Sequence, residues 1–246
     1  MATPVDDVLA DLRAEYARID LMLSVLDDTQ WLQPSGAPGW SVADTVFHLA
    51  VTEEGVATSL ALGKGEWTTR DRPLDEAIEA GMSDNTARPK EVFERWRAAC
   101  RASLSALAAA DPDVAVQWAA APLKPRTLAT TRLAEHWAHT LDIAEPLGLD
   151  YADTDRLRHI AWLGHSTLPY AMRLAELEPA SIRAALTAPS GAVFDYGPAD
   201  ATSSISGDMG AFCRVGARRL AAEASGLATS GPDAMAALRV LRNYAA

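Results

Sequence analysis

Apolar side chains recur at intervals of three and four along most of this chain, and that spacing predicts helices. Val5, Val8, Leu9, Leu12, Tyr16, Ile19, Leu23 and Leu26 form the first stripe, which predicts an amphipathic helix over residues 4–28. Pro34, Gly36, Pro38 and Gly39 interrupt it. Ser41 with Asp44 three residues on has the form of a capping box, so a second helix should start at Ser41. It carries Val42, Val46, Leu49 and Val56 inward, with His48 on or beside that face, and Gly63-Lys64-Gly65 should end it. Residues 66–88 are polar, with Pro73 and a short helix expected over Leu74–Ala80. An excursion of that length serves either as a lid or substrate loop or as plain surface. A third helix is expected over Pro89–Ala110, with Val92, Phe93, Trp96, Cys100, Leu104 and Leu107 on one face. Pro112, Pro122 and Pro125 should hold the chain extended until a fourth helix begins near Thr127 and runs to Leu147. Four long helices over residues 1–148 predict a four-helix bundle.

The pattern changes after Leu147-Gly148-Leu149, and a domain boundary is expected between Gly148 and Thr154. A linking helix over Thr154–Leu177, kinked at Pro169, opens the second part. Residues 181–187, 192–196 and 201–206 then read as short strands separated by Pro189-Ser190-Gly191 and Gly197-Pro198. Gly207-Asp208 opens a helix to about Ala224, and Gly231-Pro232-Asp233 opens another to Tyr244. Residues 149–246 therefore predict a small α+β domain, and the chain as a whole is mainly α.

Charge narrows the partners. With 33 acidic against 22 basic residues the net charge is −11, which disfavours nucleic acid and anionic membranes, since phosphate recognition needs a cationic face. No apolar run reaches the ~18 residues of a membrane span. The acidic start, MATPVDDVLADL, lacks the basic-then-apolar pattern of a signal peptide. Cys100 and Cys213 stand in separate segments without a C-x-x-C, as expected of reduced thiols in a cytoplasmic protein. Abundant alanine and arginine with little lysine point to a GC-rich bacterial coding sequence.

Candidate chemistry centres on Thr127–Leu147. Glu135 and His139 lie four residues apart, which on a helix stacks a carboxylate and an imidazole on one face, one turn apart. Either residue alone is ordinarily structural. His48, a histidine within an apolar helix, completes a set of two imidazoles and a carboxylate that facing helices of a bundle can aim at one point. That set, with a fourth position open, suits catalytic zinc. Asp142, three residues past His139, is placed to receive its free ring N–H, although pairing with an arginine is the competing reading. His136, next to Glu135 and so ~100° round the helix, is assigned to packing or to substrate contact. Arg132, one turn before Glu135, would hold that carboxylate or an anionic substrate, with Arg126 as the alternative anchor. Arg214, Arg218 and Arg219 read as a basic helix face, either solvated or, through Arg214 and Arg218, a cofactor anchor. His159 and His165 share no helical stripe and carry no metal assignment, and Cys100 reads as a core thiol.

The patterns G-W-S-x-x-D-x-x-x-H-L at 39–49 and R-x-x-E-x-x-x-H-x-x-D at 132–142 resemble the DinB-like metal-binding bundles. More narrowly, they resemble the mycothiol-dependent maleylpyruvate isomerase family. Ser206-Gly207-Asp208, Phe212-Cys213 and Ser230-Gly231-Pro232-Asp233-Ala234 are similar to the C-terminal domain of many such proteins, so the resemblance spans nearly the whole chain. It implies that His48, Glu135 and His139 bind a divalent metal, usually zinc, and that mycothiol is a co-substrate. The activity it implies is that of an isomerase or thiol transferase acting on a small electrophilic, possibly carboxylate-bearing metabolite.

The residues themselves leave other readings open. The same ligands can activate water, giving a metal-dependent hydrolase or a cyclase or isomerase of secondary metabolism. Two histidines and a carboxylate also describe the facial triad of non-haem iron, and a non-catalytic metal- or ligand-binding protein would keep the same site. The expected partners are a small substrate and a low-molecular-weight thiol, with the protein a monomer or homodimer.

Overall fold

A computed structural model describes residues 4–62, 87–118 and 121–243. The expected end of the second helix at Gly63, residues 66–86 with the short helix at Leu74–Ala80, and Tyr244 lie outside the described residues. The chain divides into two compact units, residues 1–151 and 152–245.

In the first unit, α1 (Pro4–Ser24) buries Val8, Leu12, Ile19 and Leu23 on the stripe legible in its sequence. It stops short of residue 28. Asp27 is extended, and its side chain accepts from Gln30 N while the Gln30 side chain accepts from Asp27 N. This capping box starts a separate short helix, α2 (Asp28–Trp31), whose Trp31 is buried. Helix α3 (Val42–Leu62) begins as expected: Asp44 N donates to Ser41 Oγ at 3.1 Å, and Ser41 N donates to Asp44 Oδ2 at 3.0 Å. Ser41→Ala should cost about 1 kcal/mol in urea denaturation by removing that cap; an unchanged midpoint would show the cap to be dispensable.

Helix α4 spans Pro89–Ala109. Helix α5 spans Pro125–Leu147, two residues earlier than expected, because Pro125 occupies the first helical position, where its missing N–H costs nothing. Helices α1, α3, α4 and α5 form the four-helix bundle, with contacts running α1 to α5, α5 to α3, α3 to α4 and α4 back to α1. Its interior is not wholly apolar: Glu15, Glu53, Arg132 and His136 are buried in it.

The second unit begins with α6 (Leu157–Leu174), shorter than expected at both ends, with Pro169 inside it. Strands β1 (Ile182–Thr187), β2 (Val193–Tyr196), β3 (Ser203–Asp208) and β4 (Ala228–Ser230) form one sheet in the order β2-β1-β3-β4. Strand β1 pairs antiparallel with β2 (Ala184 opposite Tyr196) and parallel with β3 (Ala184 opposite Ile205). Ile182, Ala184 and Leu186 alternate into the core. The three-residue β4 escaped the sequence reading because it is too short to show a period.

Helix α7 covers only Met209–Gly216, not the run to Ala224 expected, and a 3-10 turn follows at Ala222–Ala224. The stop is a Schellman arrangement: Arg218 takes φ +61°, its N–H donates to Val215 O, and Arg219 N donates to Arg214 O. No glycine announces it. Helix α8 (Ala234–Val240) is likewise shorter than the run to Tyr244 expected. Within this unit α6 and α7 approach closely: a Cβ on Gly164 would lie 2.6 Å from Asn243 Oδ1, whose amide donates to Cys213 O. No helix among the described residues is long and apolar enough to cross a membrane.

Candidate metal centre

The structure brings His48 of α3 together with Glu135 and His139 of α5. His48 Nε2 lies 3.0 Å and His139 Nε2 3.3 Å from the same oxygen, Glu135 Oε1. All three donor atoms fall within 4.8 Å of one another. Bonds of ~2.0–2.1 Å in a tetrahedral site put neighbouring ligand atoms about 3.3–3.4 Å apart, close to both distances measured to Glu135 Oε1. His48 is buried, whereas the Glu135 side chain is 29% exposed.

The surroundings orient these donors. Asp142 Oδ2 lies 2.9 Å from His139 Nδ1 and accepts its N–H, leaving the Nε2 lone pair to face Glu135 once the ring is neutral. Gly36 N donates to Asp142 O at 2.7 Å, an approach glycine permits because an added Cβ would lie 3.1 Å from Asp142 Cα. That contact holds the 33–40 loop against α5. Trp40, to which its place in the G-W-S pattern assigns no role, then stacks on His139 at 6.0 Å and leans on His48 at 5.0 Å, walling one side of the site.

Protonation follows from these contacts. Burial lowers the His48 imidazole, with Glu135 opposing it only in part. For His139 burial also acts downward, but the hydrogen bonds to Asp142 and Glu135 outweigh it and push the ring up to about 9. Burial alone would raise the Glu135 carboxyl, yet hydrogen bonds from His139 and His48 hold it well below the usual carboxylate range.

The expectation for Arg132 needs correction, and burial favours one of the readings of His136. Arg132 neither holds Glu135 directly nor reaches an anionic substrate. It is 3% exposed, and its guanidinium donates to Glu53 Oε1 at 2.6 Å and Thr52 Oγ1 at 2.7 Å. His136 is fully buried, so the packing reading holds and substrate contact does not. Its Nδ1–H donates to Arg132 O at 3.0 Å, and its Nε2 accepts from Trp96 Nε1 at 3.1 Å. Burial drives this imidazole down to about 4, so it is neutral at physiological pH. The sequence pattern placed Trp96 only on an apolar helix face and did not single out Glu53 or Thr52. The signal for these last two was their position about one turn beyond His48. Arg126 is half-buried near the start of α5.

The second unit's arginines do not form one helix face. Arg214, on α7, is spent on Asp153 at 2.5 and 3.1 Å. Arg218 and Arg219 follow the end of that helix, and each donates to a backbone carbonyl, of Arg239 and Ala217 respectively. Arg214, for which a solvated face or a cofactor anchor shared with Arg218 was the expectation, is thus paired with Asp153, and Arg218 sits in the helix-stop turn. His165 Nε2 lies 2.9 Å from Ile182 O. Cys100 and Cys213 are both buried and free, and burial pushes both thiols up, out of the reactive range.

Fold and site together define a DinB-like four-helix bundle with two imidazoles and a carboxylate converging between two of its helices, followed by a small α+β unit. A model of the mycothiol maleylpyruvate isomerase N-terminal domain matches residues 12–144, and the chain belongs to that family. It is 32% identical to an uncharacterised protein of Mycobacterium tuberculosis, found in strains H37Rv and CDC 1551, over 96% of this chain and 95% of that protein. Among solved structures it is similar to the mycothiol-dependent maleylpyruvate isomerase, at a TM-score of 0.63 and 17% identity, covering 94% of this chain and 96% of that one. A point mutant of the same isomerase gives a TM-score of 0.61. At that identity the likeness is one of fold.

Proposed function

We propose that this protein is a divalent-metal enzyme, its ion held by His48, Glu135 and His139, that uses mycothiol to isomerise or conjugate a small electrophilic metabolite. The observation that carries the reading is the convergence of three donor atoms on one point, at the spacing a small ion needs, in a family named for a mycothiol-dependent isomerase. Zinc suits the ligand set. A bound divalent ion supplies Lewis acidity and lowers the pKa of a thiol or water at its open position.

The chain supplies the rest. Asp142 fixes the tautomer and the ring plane of His139. Trp40 excludes water from one side, which strengthens electrostatic contacts within the site. Glu135 is the most exposed of the three side chains, which supports entry of the thiol and substrate from its side. In this reading the metal chemistry belongs to residues 1–148, and the protein works in the cytoplasm, where its thiol is found.

The experiment is a titration of the cobalt-substituted protein with mycothiol. A sulfur-to-cobalt charge-transfer band should appear, and turnover of an unsaturated keto acid should require the thiol. If saturating mycothiol leaves both the spectrum and the turnover unchanged, the thiol reading is wrong and the hydrolase or cyclase reading replaces it.

A further inference from the structure

About one helical turn from the donor set, α3 and α5 are joined a second time, entirely inside the bundle. Arg132 Nε donates to Glu53 Oε1 at 2.6 Å and Arg132 Nη2 to Thr52 Oγ1 at 2.7 Å. Thr52 passes its own hydroxyl proton to Leu49 O at 3.1 Å, on the residue next to His48. Glu53 is 0% and Arg132 3% exposed. Thr52 lies four residues after His48, and Arg132 three before Glu135. The two helices therefore carry two cross-links in parallel, about one ~5.4 Å turn apart. His136 braces the second link from the far side: its Nδ1–H donates to Arg132 O, and Trp96 of α4 donates to its Nε2.

Stability does not account for this pair. A buried ion pair is often no more stabilising than well-packed apolar side chains of similar volume. Beyond Arg132, the Tyr16 and Ser103 hydroxyls also face Glu53 inside the bundle. What directional bonds supply and apolar packing does not is a defined register between two helices. The donor set needs that register. His48 stands on one helix and Glu135 and His139 on the other, so a slide of α3 along α5 by ~1 Å would move one ligand out of a coordination shell whose distances hold to about 0.2 Å.

We propose that Thr52, Glu53 and Arg132 are positioning residues that lock α3 to α5 in the register at which His48, Glu135 and His139 meet one ion. This rests on the metal reading of the site. It predicts that the lock acts on metal affinity and coordination geometry separately from its effect on folding.

Three variants of the full chain test it: Thr52→Val, Arg132→Lys, and the double variant Glu53→Leu/Arg132→Met. Zinc affinity is read by chelator competition, ligand geometry by the visible spectrum of the cobalt form, and folding by circular dichroism and thermal midpoint. Thr52→Val keeps the volume and removes the hydroxyl, which is both the acceptor for Arg132 and the donor to Leu49 O. Arg132→Lys keeps the charge but not the two-point fork. The double variant keeps an apolar contact between the helices. Each should weaken metal affinity by about tenfold or more, in the range found for groups that orient metal ligands, and should change the cobalt spectrum while helical content is retained.

Wild-type affinity and spectrum in a folded Thr52→Val or double variant would overturn the proposal. So would wild-type behaviour in Arg132→Lys, since the charge alone would then suffice. Wild-type protein that binds no zinc at all is a different result: it removes the metal reading and the lock's purpose with it.

Discussion

Alanine at His48, Glu135 or His139 is expected to reduce bound metal to about a tenth of stoichiometric or less, whereas alanine at His136, which gives no ligand and only braces Arg132, should keep metal content close to stoichiometric even where affinity falls. The three donors contact one another directly, at 3.0 and 3.3 Å through Glu135 Oε1, and a three-ligand site that loses one ligand keeps little affinity. His136 is adjacent to Glu135 in sequence but points to the other side of α5, where both its ring nitrogens are engaged with Arg132 O and Trp96. Its removal should instead cost stability. The Trp96 N–H would be left buried without an acceptor beside a new cavity, at about 2–4 kcal/mol in urea denaturation. Metal analysis alongside circular dichroism separates these outcomes. A folded His136→Ala protein without metal, together with a His139→Ala protein that keeps it, would show that the wrong histidine had been assigned.

Metal uptake should release close to one proton per ion at pH 7, and affinity should rise about tenfold per pH unit from pH 6 toward 9 before levelling off. The cause is His139. Its ring, held between Asp142 and Glu135, is pushed up to about 9 in the metal-free protein, so at neutral pH it carries a proton that an ion must displace from Nε2. His48 is displaced downward and is already neutral, so it needs only to present its lone pair by changing tautomer. Titration calorimetry in two buffers of different ionisation enthalpy counts the proton. An affinity flat from pH 6 to 8.5 with no proton released would refute the assignment of that charge to His139.

The same displacement sets a pH trend for the metal-free fold. A histidine whose folded pKa of about 9 exceeds its unfolded value contributes stability that is fully present below about 6.5 and is lost as pH rises through 9. Glu135, held low, acts in the opposite sense, and its contribution is lost only as pH falls below the ordinary carboxylate range.

Much of this was legible in the chain because it depends on neighbours within one or two turns. Apolar spacing marked the bundle helices, Ser41 and Asp44 marked the start of α3, and the interval from Glu135 to His139 placed both on one face. The bond from His139 to Asp142 is local in the same sense. Helix ends were harder to read. Asp27 closed α1 early by opening a cap for α2, and Arg218 stopped α7 in a conformation usually left to glycine. Such stops are decided by which competing local hydrogen bonds the surrounding fold allows. The tertiary structure alone decided that His48 meets Glu135 across 87 residues, and that Arg132 turns to Glu53 and not to Glu135. A period in the sequence says which face of a helix is buried but not how far that helix is slid or rotated against its neighbour. Contacts between helices depend on that slide, which is set only when all the side chains of the bundle pack at once.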